Sequence, residues 1–212
     1  MNIIQFGKFM TSLSPEETIY RLRIDFLFEE LVCTRDTAVP STATLHELHA
    51  MIQACGNWMN YHWYDFKYVS KGKLCMAQPQ KQIDEAYSGF DKMPLHDSSK
   101  VTLKEAFMNF PSITYSYDYG DGWEINILNL GYVEKDSVPR VPYALSGKGD
   151  WPPDDVGGEG GFMHLMNVLK DPSNEEYEEM REWMEDLYFE KYSLQQCNRD
   201  LSNWEDELDS LS

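Results

Sequence analysis

Alternating apolar and polar side chains on either side of one tight turn limit this chain more than any other feature. Tyr115, Tyr117 and Tyr119 alternate with Ser116 and Asp118, Gly120-Asp121-Gly122 reverses the direction, and Trp123, Ile125 and Ile127 alternate with Glu124 and Asn126. A period of two sends successive side chains to opposite faces of a strand, and Asp-Gly between two such runs is a strong hairpin signal. The segment predicts an antiparallel sheet with one aromatic, buried face.

Other segments fit that frame. Tyr20, Leu22, Ile24 and Phe26 alternate with Arg21, Arg23 and Asp25, and a second extended stretch runs from Val32 to Val39, stopped by Pro40. Thr44 and Glu47 form a T-x-x-E capping box ahead of Leu45, Leu48, Ile52 and Cys55 at helical spacing, and Gly56-Asn57 ends that helix. A strand is expected from Trp58 to Tyr68, with His62, Tyr64, Phe66 and Tyr68 on one face. Residues 69–100 read as a long irregular loop, followed by a short helix near Leu103 to Phe107. The stretch from Leu145 to Gly161 holds six of the 13 glycines and reads as another loop. Three helices close the chain: Phe162 to Leu169, one opening at a box of Ser173 and Glu176, and one opening at Ser193 with Gln196 in the box position. Strands and one packed helix first, helices last, predict an α+β fold with an antiparallel sheet, read as one domain over residues 1–212.

Charge sets the class of partner. The net charge is −18, and residues 171–212 carry 14 acidic against 3 basic side chains, a net of −11. Direct binding to nucleic acid is disfavoured, because phosphate contacts need clustered Lys and Arg. Glu175, Glu178, Glu179, Glu182, Glu185 and Asp186 recur at helical spacing opposite an apolar stripe of Tyr177, Met180, Met184 and Leu187. Six carboxylates over about 16 Å of helix, at 1.5 Å per residue, approach the phosphate spacing of one DNA strand. That pattern suits a basic protein target, and equally a plainly solvated face. No apolar run approaches the roughly 20 residues of a membrane span. The cysteines Cys33, Cys55, Cys75 and Cys197 show no C-x-x-C spacing and are expected to be reduced, with the cytoplasm as location.

Catalytic signatures are sparse. The chain contains neither G-x-S-x-G nor a P-loop motif. His49 shares a helix face with Leu45 and Ile52 and reads as a satisfied core histidine. His62 differs. With Asp118 and Asp121 from the hairpin and Asp154 and Asp155 from the glycine-rich loop, it forms a candidate mixed N/O site for one divalent ion. Each aspartate also has a structural role open to it at a turn or cap.

The segments TLHELHAMIQACGNW, NYHWYDFKY, YSYDYGDGWEINI, WPPDDVGGEGGF and YSLQQCNRDL, in that order, resemble the plasmid pRiA4b ORF-3-like family from about Ile19 to Leu201. The resemblance implies an α+β domain with C-terminal helices, carried on plasmids, transposable elements and phage-related islands, with no activity attached. It also implies further histidines at the positions of Tyr64 and Ile125 and a cysteine at Trp151, all absent here. Loss of those groups favours a binding role over an ancestral metal chemistry. The leading expectation is therefore a mobile-element or phage accessory protein that inhibits a host defence nuclease through an acidic, DNA-mimicking surface, as an anti-CRISPR protein does. A metal-dependent enzyme built on the His/Asp pocket and a non-catalytic scaffold are the alternatives.

Overall fold

The structure is a computed structural model that describes residues 18–26, 32–85, 93–187 and 191–208. One sheet of eight strands organises these residues, in the spatial order β5-β4-β3-β6-β7-β1-β2-β8. Its strands are β1 (Ile19–Phe26), β2 (Thr34–Pro40), β3 (Tyr64–Ser70), β4 (Lys73–Gln78), β5 (Leu95–Asp97), β6 (Ser112–Tyr117), β7 (Trp123–Val133) and β8 (Tyr143–Lys148). All neighbours are antiparallel except β4 and β5. Among the described residues the α-helices are α1 (Leu45–Gly56), α2 (Gln80–Glu85), α3 (Leu103–Ala106), α4 (Gly158–Val168), α5 (Tyr177–Asp186) and α6 (Leu194–Asp200). The α+β class, the helix after the first strands and the C-terminal helices are as the sequence predicts.

The hairpin pairs Tyr117 with Trp123, Tyr115 with Ile125 and Ile113 with Ile127, so the alternating large residues share one face. Leu22 and Ile24 of β1 and Tyr64 and Phe66 of β3 extend that face, and all are buried. Against it lies α1, which carries the expected capping box and ends with Asn57 in the left-handed conformation. Leu45, Leu48 and Ile52 are fully buried there. Burial stabilises by roughly 1.5–3 kcal/mol for each large apolar side chain.

Four expectations change. The loop over 69–100 contains β4, α2 and β5, whose short polar sequences give little periodicity. The strand expected from Trp58 begins only at Tyr64. Residues 58–63 instead form a loop whose polar groups bond elsewhere: Trp58 Nε1 donates to Pro152 O at 2.8 Å and Met59 N to an Asp154 carboxylate oxygen at 2.7 Å. The glycine-rich loop is shorter than expected, because β8 occupies its start and α4 begins at Gly158. Ser173 does not cap α5. Its hydroxyl bonds Asp171 at 2.6 Å, and the residue before α5 is Glu176, with no side-chain cap bond.

His49 is a satisfied core histidine, fully buried. Gln53 Nε2 donates to Tyr115 Oη at 3.1 Å, which leaves the Tyr115 proton for His49 Nδ1 at 2.8 Å. His49 Nε2 then donates to Asn60 Oδ1 at 2.6 Å. Both ring nitrogens are used in the neutral form, and burial lowers the imidazole pKa from 6.5 to about 3. A histidine that must stay neutral stabilises the fold fully above its unfolded pKa. Stability should therefore decline as pH falls from about 6.5 towards about 3, with the His49 ring resonances showing no titration near pH 6 while the protein remains folded. Gly56 supplies a second check. A Cβ there would lie 2.2 Å from Trp151 Nε1, so Gly56→Ala should lower stability by about 1–3 kcal/mol in urea unfolding.

Candidate functional site

Three segments meet at the end of the hairpin: the loop 58–63, the turn 118–122 and the loop 151–158. Trp58 anchors the first, stacking on Tyr117 with centroids 4.5 Å apart. Trp63 O accepts from Asp118 N at 3.0 Å and so ties it to the turn. The turn is tied to the third segment by Asp121, which accepts from Gly157 N at 3.1 Å. Gly158, at φ +67°, packs so closely that a Cβ would sit 2.5 Å from Asp121 O. Only glycine permits that approach.

Of the five residues singled out as possible ligands, His62, Asp118 and Asp155 converge, with one ligand atom of each within 4.8 Å of the others. His62 Nε2 lies 3.3 Å from Asp155 Oδ1 and 3.6 Å from Asp118 Oδ2, yet forms no hydrogen bond. The two aspartates are arranged alike. Asp118 Oδ1 accepts from Gly120 N at 2.9 Å, and Asp155 Oδ2 accepts from Tyr61 Oη at 2.8 Å, which leaves one oxygen of each for the centre. Both sit at positive φ, 51° and 57°, a conformation that Asp tolerates better than most residues. Asp121 lies outside the trio and serves the loop contact instead.

Asp154 stands beside the trio. One of its oxygens accepts from Met59 N, and the carboxylate interacts with the nearby buried Tyr117 hydroxyl. Burial pushes the Asp154 carboxyl up to about 6, opposed by the Met59 N–H and the nearby His62. The Tyr117 phenol is pushed up by burial and by the same carboxylate. Sequence reasoning missed Tyr61 and Tyr117 as members of this group. Their hydroxyls reach it only because the aromatic strand ends and the loop fold back together.

The sequence matches the plasmid pRiA4b ORF-3-like protein family over residues 18–200. The chain belongs to that family. An uncharacterized protein of Sinorhizobium fredii is 31% identical over 172 residues, covering 78% of this chain and 80% of the relative. The crystal structure of a protein of unknown function from Methanosarcina mazei shares the fold at a TM-score of 0.71 and 28% identity, covering 84% of this chain and 95% of that one.

This family member fills the positions of the three implied ligands with core residues. Tyr64 and Ile125 are fully buried in the sheet. Tyr64 bonds His46 Nδ1 at 2.7 Å. Trp151 packs edge-on against Phe26 with centroids 4.6 Å apart.

The acidic stripe is less uniform than its spacing suggests. Glu175 lies in the turn before α5, while Glu178, Glu179, Glu182 and Glu185 are exposed on the helix. Arg181 lies among them, 2.8 Å from both Glu178 and Glu185. The side chain of Asp186 lies outside the described residues. Among the described residues no helix is long and apolar enough to cross a membrane.

Replacing Asp118 tests the turn separately from any ligand. Asp118→Ala removes the acceptor for Gly120 N and leaves a residue poorly suited to φ 51°. It should cost on the order of 1–3 kcal/mol in chemical unfolding, and Asp118→Asn should cost less.

Proposed function

We propose that this protein binds one divalent cation through His62 Nε2 and the free carboxylate oxygens of Asp118 and Asp155. The observation that carries this reading is the separation of the donor atoms. Ligands held about 2.1 Å from a common ion stand roughly 3.0–3.4 Å apart; His62 Nε2 lies 3.3 Å from Asp155, inside that range, and 3.6 Å from Asp118, slightly beyond it. One imidazole with two carboxylates suits zinc, manganese or magnesium better than a soft ion. The side chain of Asp155 is 60% exposed, so an ion on this trio keeps open positions, where it would polarise a bound oxygen as a Lewis acid. Four cysteines that are all free thiols are consistent with a reducing, cytoplasmic setting.

Metal-stripped protein should gain melting temperature when manganese or zinc is added and bind one ion per chain by calorimetry. His62→Ala should abolish the gain, whereas Asp121→Asn should retain it. A parent protein that neither binds nor is stabilised by any of the three ions overturns the assignment.

A second reading uses a different surface. The net charge of −18 and the exposed carboxylates of α5 suit a basic protein, such as a host nuclease whose nucleic-acid groove an acidic helix would occupy. The implied setting on mobile elements supports the same role. Binding of that kind should weaken steeply with salt, and changing Glu178, Glu179, Glu182 and Glu185 to Gln should remove it while the fold is kept. Affinity unchanged by the four substitutions rejects this reading.

A further inference from the structure

Two cysteines far apart in sequence meet in a pocket that borders the His62 cluster at Asp154 but is lined by none of His62, Asp118 and Asp155. Cys55 near the end of α1 and Cys197 of α6 place their Sγ atoms 3.7 Å apart. Both side chains line a pocket of about 220 Å³, together with Arg35, Trp151, Tyr192 and Gln196. The thiols therefore border a space that a small molecule can enter, although each is largely buried.

Arg35 makes that wall unusual. It is 1% exposed, and among the described residues it forms no ion pair with a carboxylate. Its Nη1 is used by backbone oxygens, Thr34 O at 2.8 Å and Gly149 O at 3.0 Å, while its Nε has no partner. The guanidinium stacks 3.8 Å from the Tyr192 ring centroid and 5.0 Å from that of Trp151. Tyr192 Oη and Trp151 Nε1 are likewise without hydrogen-bond partners. A buried cation without a counter-ion is costly and favours negative charge beside it. The Arg35 Nη1 lies 3.9 Å from Cys33 Sγ, and the guanidinium shares its pocket with the Cys55–Cys197 pair and with Asp154 and Asp200. The hydrogen bond with Cys55, helped by Arg35 and opposed by burial, holds the Cys197 thiol below its ordinary range, while the same bond and burial push Cys55 up.

We propose that Cys55 and Cys197 form a redox-active dithiol that reacts with a low-molecular-weight disulfide admitted to the Arg35 pocket. The thiolate of Cys197 attacks one sulfur of the disulfide RSSR, having given its proton to solvent. The S–S bond breaks and one RS⁻ leaves, taking up a proton. Cys55, losing its proton in turn, attacks Cys197 Sγ of the mixed disulfide and releases the second RSH. The protein loses two electrons and becomes a Cys55–Cys197 disulfide, and RSSR gains them as two thiols. A thiolate attacks, and a neighbouring second thiol resolves, by the usual rules of thiol–disulfide exchange. The product joins α1 to α6 across 142 residues.

Incubating the folded, reduced protein with oxidised glutathione and mapping its peptides without reduction tests this directly. The expected product is a Cys55–Cys197 disulfide, with Cys33 and Cys75 still reduced and a raised melting temperature. Cys55→Ser should stop the sequence at a mixed disulfide on Cys197, visible as one added glutathione by mass, and Cys197→Ser should leave Cys55 unmodified. The parent protein decides the matter even if either variant unfolds. Failure of Cys55 and Cys197 to oxidise in the folded state, or faster modification of Cys33 or Cys75, overturns the proposal. Neither outcome depends on whether His62 holds an ion.

Discussion

The constraint on which the rest of this structure depends is the burial of polar aromatic side chains under α1. The inner face of the sheet includes the buried tyrosines Tyr64, Tyr115 and Tyr117, whose hydroxyls cannot enter an apolar interior unpaired without a cost of several kcal/mol. The helix answers with His46, His49 and Gln53. The chain Gln53–Tyr115–His49–Asn60 passes each proton in one direction, and Asn60 continues to Glu207 O at the far end of the sequence. Hydrogen bonding and ring packing thus lock the helix register on the sheet together. A purely aliphatic face would allow several registers, whereas a polar chain is satisfied in one.

The same end of the sheet explains where the candidate chemistry sits. Asn60 adopts φ 55° to reach His49, which turns the chain out of strand geometry just before Tyr64. His62 lies within that short excursion, pointing at the hairpin turn rather than into the core. Asp118 and Asp155 make comparable left-handed turns from the other two segments. Two left-handed positions beside one small acidic volume, Asp118 and Asp155, are the pattern expected where local backbone conformation serves a site rather than the core.

The acidic surface and the buried charge of Arg35 illustrate opposite uses of electrostatics. On α5, water and Arg181 moderate repulsion among carboxylates, so their energetic effect on the fold is small. Arg35 has no such relief. Held by backbone oxygens and two aromatic rings, it imposes its charge on whatever lines the same pocket, and the thiol pair between α1 and α6 lies within reach.

Local signals determined much of this protein. Period-two alternation marked β1, β6 and β7, because one face of each strand is buried and the other is not. The boxes at Thr44 and Ser193 marked helix starts, since those side chains bond backbone groups only three residues away. The spacing of Asp118 and Asp121 around a turn was equally legible. Sequence could propose His62, Asp118, Asp121, Asp154 and Asp155 as one group but could not sort them, because all five are polar residues in turns. Tertiary structure did the sorting. Asp121 bonds Gly157, Asp154 bonds Met59, and the other three share a centre. Likewise, nothing in the sequence joins Cys55 to Cys197. Their proximity exists only because α6 packs on α1, a contact between elements separated in sequence by β3 to β8 and governed by the shape of the buried core.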